Sequence, residues 1–273
     1  PPLDTLRRQR QMCIRDSKGS GHALVLEGDS VLVVDQSGSE PVAPIEHPRR
    51  VGARPGLMSA EELQQLLEQG EIVSTEADTT GRKIVRVSDG KRTVSALFAR
   101  RKSRGFYPGV AAYRLDRMLE LDLVPVTVLR NVYGKAGSLQ FITTRYSDEA
   151  RRSASGRGGE ASCSLRDQWG AMYVFDVLIY NVGRSQQRML YDIGSWQLML
   201  SEHDRAFVAR KGRPSHLKDA PLDLNAGWRE ALTALTDEAL EAELGDVLDK
   251  RRIRSLAKRR DELLATAQSM ASR

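Results

Sequence analysis

Between Phe175 and Phe207 the chain reads FDVLIYNVGRSQQRMLYDIGSWQLMLSEHDRAF, with polar and charged residues at the ends of apolar runs. Arg188 supplies a cation and Glu202 a carboxylate, able to pair with each other or to hold a phosphate. His203 beside Asp204 suggests an acid–base pair. No nucleophilic serine with a defined base stands near, however, so a polar residue closing a turn is the commoner role. Asp192 reads as a turn residue, and Asp176 as a helix-capping or scaffold carboxylate. Glycine at 183 brings no acid, base or ligand at all.

These residues need a frame. SLRDQWGAMYVFDVLIYNV reads as a helix whose apolar face includes Trp169, Met172, Tyr173, Phe175, Leu178 and Ile179. Two short apolar runs follow, Met189–Tyr191 and Trp196–Leu200, with DIGS between them as a hairpin turn. Helices are expected at about 228–235, 237–248 and 250–270. Upstream, MSAEELQQLLEQG has Ser59 as N-cap, Glu62 as capping-box partner and Gly70 as stop. Ile84, Val85 and Val87, then Val94, Ala96 and Phe98, give two strands around the turn SDGK. An amphipathic helix carries Val110, Tyr113, Leu115, Met118 and Leu119, and two more strands join at Gly134–Gly137. SDEARRSASGRGGEAS, rich in Gly, Ser and Arg, reads as a flexible insertion.

The chain has 273 residues, enough for one large domain or two small ones. Its net charge of +6, from 42 basic and 36 acidic residues, is a mild bias toward anionic surfaces and no demonstration of nucleic-acid binding. No apolar run approaches the roughly 18–20 residues of a membrane span. No signal peptide is visible, which makes the cytoplasm the default compartment; the chain starts at Pro1 without Met, so a leader lost by truncation stays open. Cys13 and Cys163 lie far apart without metal-ligand spacing and read as free thiols. QMCIRDS resembles a translated sequencing-adapter scar, which sets residues 1–17 aside as non-native or disordered. Residues 18–58 read as a short β-hairpin fragment, with runs Ala23–Leu26 and Val31–Val34 about Gly28-Asp29, and a Pro/Gly/Arg-rich linker.

A small sheet with one inserted helix, followed by a helical part carrying a loop and a hairpin, resembles the phosphatidylinositol 3-/4-kinase-like branch of the kinases. The stretches AAYRLDRML, LVPVTV, GSLQ, FDVLIYN and HDRAF carry that likeness, over about Gly70 to Ala267. It implies an α+β, two-lobed protein-kinase-like fold, with a β-rich N-lobe at 59–145 and a helical C-lobe at 146–273. In that family an Asp in D-R-x-x-x-N orients the acceptor hydroxyl, while the Asn and a later Asp hold magnesium. A sheet Lys paired with a helix Glu steadies the ATP phosphates.

Carried over, Gly183-Arg184 falls on the Asp-Arg pair, Arg188 on the Asn and Glu202 on the metal Asp. Ala99 falls on the Lys, with Arg100, Arg101 and Lys102 beyond it, and Gly109 on the Glu. Losing a positioned base alone costs about 10²–10⁴ in rate. The resemblance therefore implies a pseudokinase with a binding, scaffolding or regulatory role and an unidentified protein partner. It leaves no confident catalytic residue, metal ligand or cofactor. Arg100, Arg101, Lys102 and Arg188 stand as candidate phosphate contacts, and Arg188 facing Glu202 as an internal cation in place of a metal. One alternative is an active phosphotransferase using ATP and magnesium, with Glu202 as metal ligand. Another is a basic module binding nucleic acid or anionic lipid through Lys250, Arg251, Arg252, Arg254, Lys258, Arg259 and Arg260. That last stretch reads first as a solvated helix face. EADTTGRK offers only Gly81 as a phosphate cradle, a weak signal.

Overall fold

The computed structural model describes residues 22–27, 30–35, 42–45 and 58–271, apart from 79, 80, 102, 104, 160 and 162. Residues 1–17, Cys13, the turn at 28–29, the linker at 47–56 and Lys102 lie outside them. The N-terminal hairpin expected from the sequence is an antiparallel sheet of β1 (His22–Glu27), β2 (Ser30–Asp35) and a third strand, β3 (Val42–Ile45).

The main fold is α+β, with an antiparallel sheet in its N-terminal part and a helical C-terminal part, as the kinase resemblance implies. Helix α1 (Ala60–Gln69) starts where expected: Ser59 Oγ accepts from the Glu62 amide at 3.1 Å, and Glu62 Oε2 accepts from the Ser59 amide at 2.7 Å. Its buried stripe of Leu63, Leu66 and Leu67 covers the sheet, each leucine contributing about 1.5–3 kcal/mol by leaving water.

The sheet comprises β4 (Glu71–Ala77), β5 (Lys83–Ser88), β6 (Thr93–Arg100), β7 (Thr127–Val132) and β8 (Lys135–Ile142), in the order β4-β5-β6-β8-β7. Helix α2 (Pro108–Leu119) is inserted between β6 and β7. β8 is an inner strand, between β6 and β7, and is buried on both faces. Leu139 and Phe141 enter the core. Alternation along the strand turns Ser138 and Gln140 the opposite way. The register places Ala99 opposite Ser138 and Leu97 opposite Gln140, and β7 adds Thr127 opposite Gln140. One face is thereby assembled from three strands, its polar part being Thr127, Ser138 and Gln140.

In the C-terminal part, β9 (Tyr146–Asp148) precedes α3 (Glu149–Ser155) and α4 (Leu165–Leu178). The segment expected to be a flexible insertion is therefore partly ordered. Asp148 caps α3 by accepting from the Arg151 amide at 2.9 Å, Arg152 pairs with buried Glu149 at 2.6 Å, and its guanidinium lies over Tyr191. β10 (Met189–Asp192) and β11 (Leu198–Leu200) form the expected hairpin, with β9 on its edge. Helices α5 (Ala226–Ala234), α6 (Asp237–Leu244) and α7 (Lys250–Ala271) close the fold. Cys163 is disulfide-bonded and not the free thiol expected from the sequence. No helix among the described residues is long and apolar enough to cross a membrane.

The two parts are joined firmly at α2. Arg114 grips Asp246 at 2.6 Å and the Glu243 carbonyl at 2.8 Å, and the Tyr107 amide donates to the Val247 carbonyl at 2.9 Å. Arg252 lies 4.1 Å from the centre of the Phe106 ring.

Candidate functional site

A cleft of about 280 Å³ lies between the sheet, the start of α2 and the segment after β11. It gathers Ala99, Arg100, Arg101, Gly109 and Glu202, five positions singled out in the sequence, together with His203 and Asp204. Its polar side is the strand face described above. Gln140 Nε2 donates to Thr127 Oγ1 at 3.0 Å, and Gln140 Oε1 accepts from the Glu202 amide at 3.2 Å, so the sheet holds Glu202 by its backbone. Glu202 has φ +54°, the left-handed region, which costs a non-glycine residue on the order of 1 kcal/mol.

The loop after α4 is built around Asp176 and Arg184, whose side chains are 1% and 6% exposed. Arg184 Nε and Nη2 both donate to the Asp176 carboxylate at 2.8 Å. Nη1 reaches the carbonyls of Arg188 at 3.1 Å and Ser201 at 3.3 Å. Asn181 Nδ2 donates to Asp176 Oδ1 at 2.9 Å, and Asn181 Oδ1 accepts from the Gly183 amide at 2.9 Å. A single buried ion pair thus ties the end of α4, the loop and the end of β11 together.

Arg188 stands at the end of a 3-10 turn, Gln186–Arg188. Its Nη1 lies 3.1 Å from Asp204 Oδ1 and donates to the Gly183 carbonyl at 3.0 Å; its Nη2 lies 3.6 Å from Glu202 Oε2. Arg82, from the turn between β4 and β5, reaches the other oxygen of Glu202 at 2.8 Å and is itself held by Asp78 at 2.6 Å. Two guanidinium groups, one from the β4–β5 turn and one from the loop after α4, therefore converge on one carboxylate.

Gly183 is coupled to this arrangement. A Cβ there would sit 2.7 Å from Arg188 Nη1 and 2.9 Å from Arg205 Cβ, closer than real side chains approach. Arg188 occupies the space that an acid at 183 needs. At Gly109 a Cβ would meet only Ser138 Oγ at 3.5 Å and Thr127 Cγ2 at 3.6 Å, so that position has room.

His203 is 1% exposed. Arg184 Nη2 lies 3.2 Å from His203 Nε2. A guanidinium only donates, so Nε2 accepts and the ring proton sits on Nδ1, which has no hydrogen-bond partner. Burial, then the nearby Arg184 and Arg188 charges, hold its pKa well below the ordinary histidine value, and the ring is neutral.

Glu202 faces two arginines and Asp204 lies against Arg188, whereas a bound magnesium takes hard oxygen ligands in near-octahedral array. Among the described residues, no three His, Cys, Asp or Glu side chains gather as a metal site.

Residue types alone did not reveal Arg82 or Asp204 as members of this cluster. The Asp78–Arg82 spacing across a turn was a local signal for the first; the Arg82–Glu202 contact spans 120 residues and left none. The basic run of α7 divides. Lys250, Arg251, Arg254 and Lys258 are exposed. Arg252 pairs with Asp249 and covers Phe106, and Arg260 is engaged by Asp237 and Asp261. Arg259 is 1% exposed and unavailable to any surface ligand.

No protein-family model and no curated protein sequence matches this chain. Among solved structures, the Helicobacter pylori proinflammatory kinase CtkA aligns with a TM-score of 0.49 at 13% identity, over 75% of this chain and 97% of that one. The open conformation of CtTel1 aligns with a TM-score of 0.39 at 9% identity, over 72% of this chain and 12% of its own.

Proposed function

We propose that this chain is a kinase-shaped binding or regulatory module without magnesium-dependent phosphoryl transfer. One observation carries the reading: Arg188, which the resemblance sets on the family's magnesium-binding Asn, lies against Glu202 and Asp204 and donates to the Gly183 carbonyl. A fixed internal cation there supplies the positive charge that carboxylates would otherwise draw from a metal. Gly183 supplies no general base, and its amide is engaged by Asn181 Oδ1. Arg82 adds a clasp between the turn above the cleft and the segment below it.

The test reverses the exchange. Arg188→Asn removes the guanidinium that crowds position 183; Gly183→Asp then restores an acid against a residual contact with Arg205. The doubly substituted chain is expected to gain thermal stabilisation from ATP with magnesium, and the native chain to show little. Gly183→Asp alone is expected to lose about 1–3 kcal/mol through overpacking, and Arg188→Asn to recover part of that loss. Equal, magnesium-dependent stabilisation of the native chain would contradict the reading.

A further inference from the structure

Helix α7 presents a stripe of positive charge to solvent. Lys250, Arg251, Arg254 and Lys258 are exposed, and among the described residues none of them pairs with a carboxylate. At 3.6 residues per turn these positions fall within roughly 100° of arc and about 12 Å of helix axis. Ile253, Leu256, Leu263 and Ala267 take the other face of the helix into the core, so the basic stripe is its outward face. A second segment widens it. Arg259 Nη1 donates to the Arg210 carbonyl at 2.6 Å, and the Gly212 amide donates to Glu262 Oε2 at 3.1 Å. Residues 208–212 are thereby laid along α7, and they bring the exposed Arg210 and Lys211 to it, neither paired with a carboxylate among the described residues.

The acids at the two ends of the stripe are engaged: Asp249 by Arg252, Asp261 by Arg260, and Glu262 by the Gly212 amide. The positive surplus is therefore local and unscreened by neighbouring side chains. A partner with closely spaced negative charge along a line complements it. Duplex nucleic acid carries one charge per about 1.7 Å of its axis, so the stripe spans several phosphates, and arginine forks match phosphate oxygens. Neither α7 nor residues 208–212 contain an aromatic side chain on which an unpaired base could stack. No apolar face remains for a membrane: the large apolar residues of α7 are buried or partly buried, except Met270 at its far end.

We infer that α7 and residues 208–212 bind the phosphate backbone of a nucleic-acid duplex, without reading its sequence. The exposed arginines and lysines contact phosphate oxygens and release the counterions condensed there. None of these residues lines the cleft, so duplex binding and the loss of phosphoryl transfer stand or fall separately.

Fluorescence anisotropy of a labelled, mixed-sequence DNA duplex of about 20 base pairs, titrated with the full chain in EDTA, tests it. Binding is expected to weaken about 10²-fold between about 50 and 200 mM salt, and to be the same for a second, unrelated sequence. Arg251→Gln, Arg254→Gln and Lys258→Gln together should weaken it at least about tenfold at the lower salt and reduce the log–log salt slope by about 2–3, at unchanged melting temperature. Arg86→Gln, Lys91→Gln and Lys135→Gln together, at exposed cations of the sheet and its turn, remove the same charge elsewhere and should leave affinity within about threefold. No duplex binding at the lower salt, or an equal loss in the two triple variants, would overturn the inference. Tighter binding to a single strand of the same length, or to phosphatidylserine vesicles, would overturn it as well.

Discussion

Replacing Arg184 by alanine is expected to cost about 3–5 kcal/mol of stability, the range for breaking a buried ion pair by removing one partner. The Asp176 carboxylate is 1% exposed and receives both parallel bonds of the fork at 2.8 Å. Without Arg184 it retains Asn181 as donor but no countercharge. The carbonyls of Arg188 and Ser201 lose a donor in the same change, and His203 Nε2 loses its partner. Lysine cannot reproduce the fork, so Arg184→Lys should recover only part of the loss. Urea unfolding midpoints measure this directly. Arg205→Ala, at an exposed neighbour, should stay within about 0.5 kcal/mol of the native chain. A loss under about 1 kcal/mol for Arg184→Ala would show that the loop is not built on this pair.

The second large effect belongs to Arg259. Its Nε donates to the carbonyl of Leu178, the last residue of α4, at 2.7 Å, and Nη1 donates to the Arg210 carbonyl at 2.6 Å. The guanidinium also lies 5.5 Å from the centre of the Tyr180 ring. A cation at the negative end of a helix offsets part of the cost of burial. Burial still dominates and pulls its pKa down to about 10. Arg259→Ala should lose about 3 kcal/mol or more, from unpaired carbonyls together with the cavity left behind. Arg251→Ala, Arg254→Ala and Lys258→Ala, at exposed positions of the same helix, should each stay within about 0.5 kcal/mol. If Arg259→Ala is as silent as these, α7 does not dock as described.

The contrast within α7 shows what a sequence carries and where it stops. Ile253, Leu256 and Leu263 are buried at helical spacing, and Arg259 follows Leu256 by three positions, on the same face. The phase was legible, but the density of charge in KRRIRSLAKRR masked it. Local signals served well elsewhere. The capping box at Ser59 and Glu62 lies within one turn, and the hairpin at DIGS within a few residues. Helix α3 was hidden because the Gly/Ser/Arg composition outweighed one cap at Asp148 and one pair, Glu149 with Arg152. At the site, the spacing of Arg188 and Glu202 could be read, since the two flank one hairpin. Arg82 and the unpartnered nitrogen of His203 could not, because each depends on elements brought together only by the fold.

The central claim is that a fixed arginine has replaced the metal in a kinase-shaped cleft. Transfer of the γ-phosphoryl group from radiolabelled ATP, with magnesium, to water or to the chain itself tests it most directly. The native protein is expected to show no transfer above buffer, and Glu202→Ala none either. Magnesium-dependent transfer by the native chain that disappears in Glu202→Ala would contradict the claim and assign Glu202 as a working metal ligand.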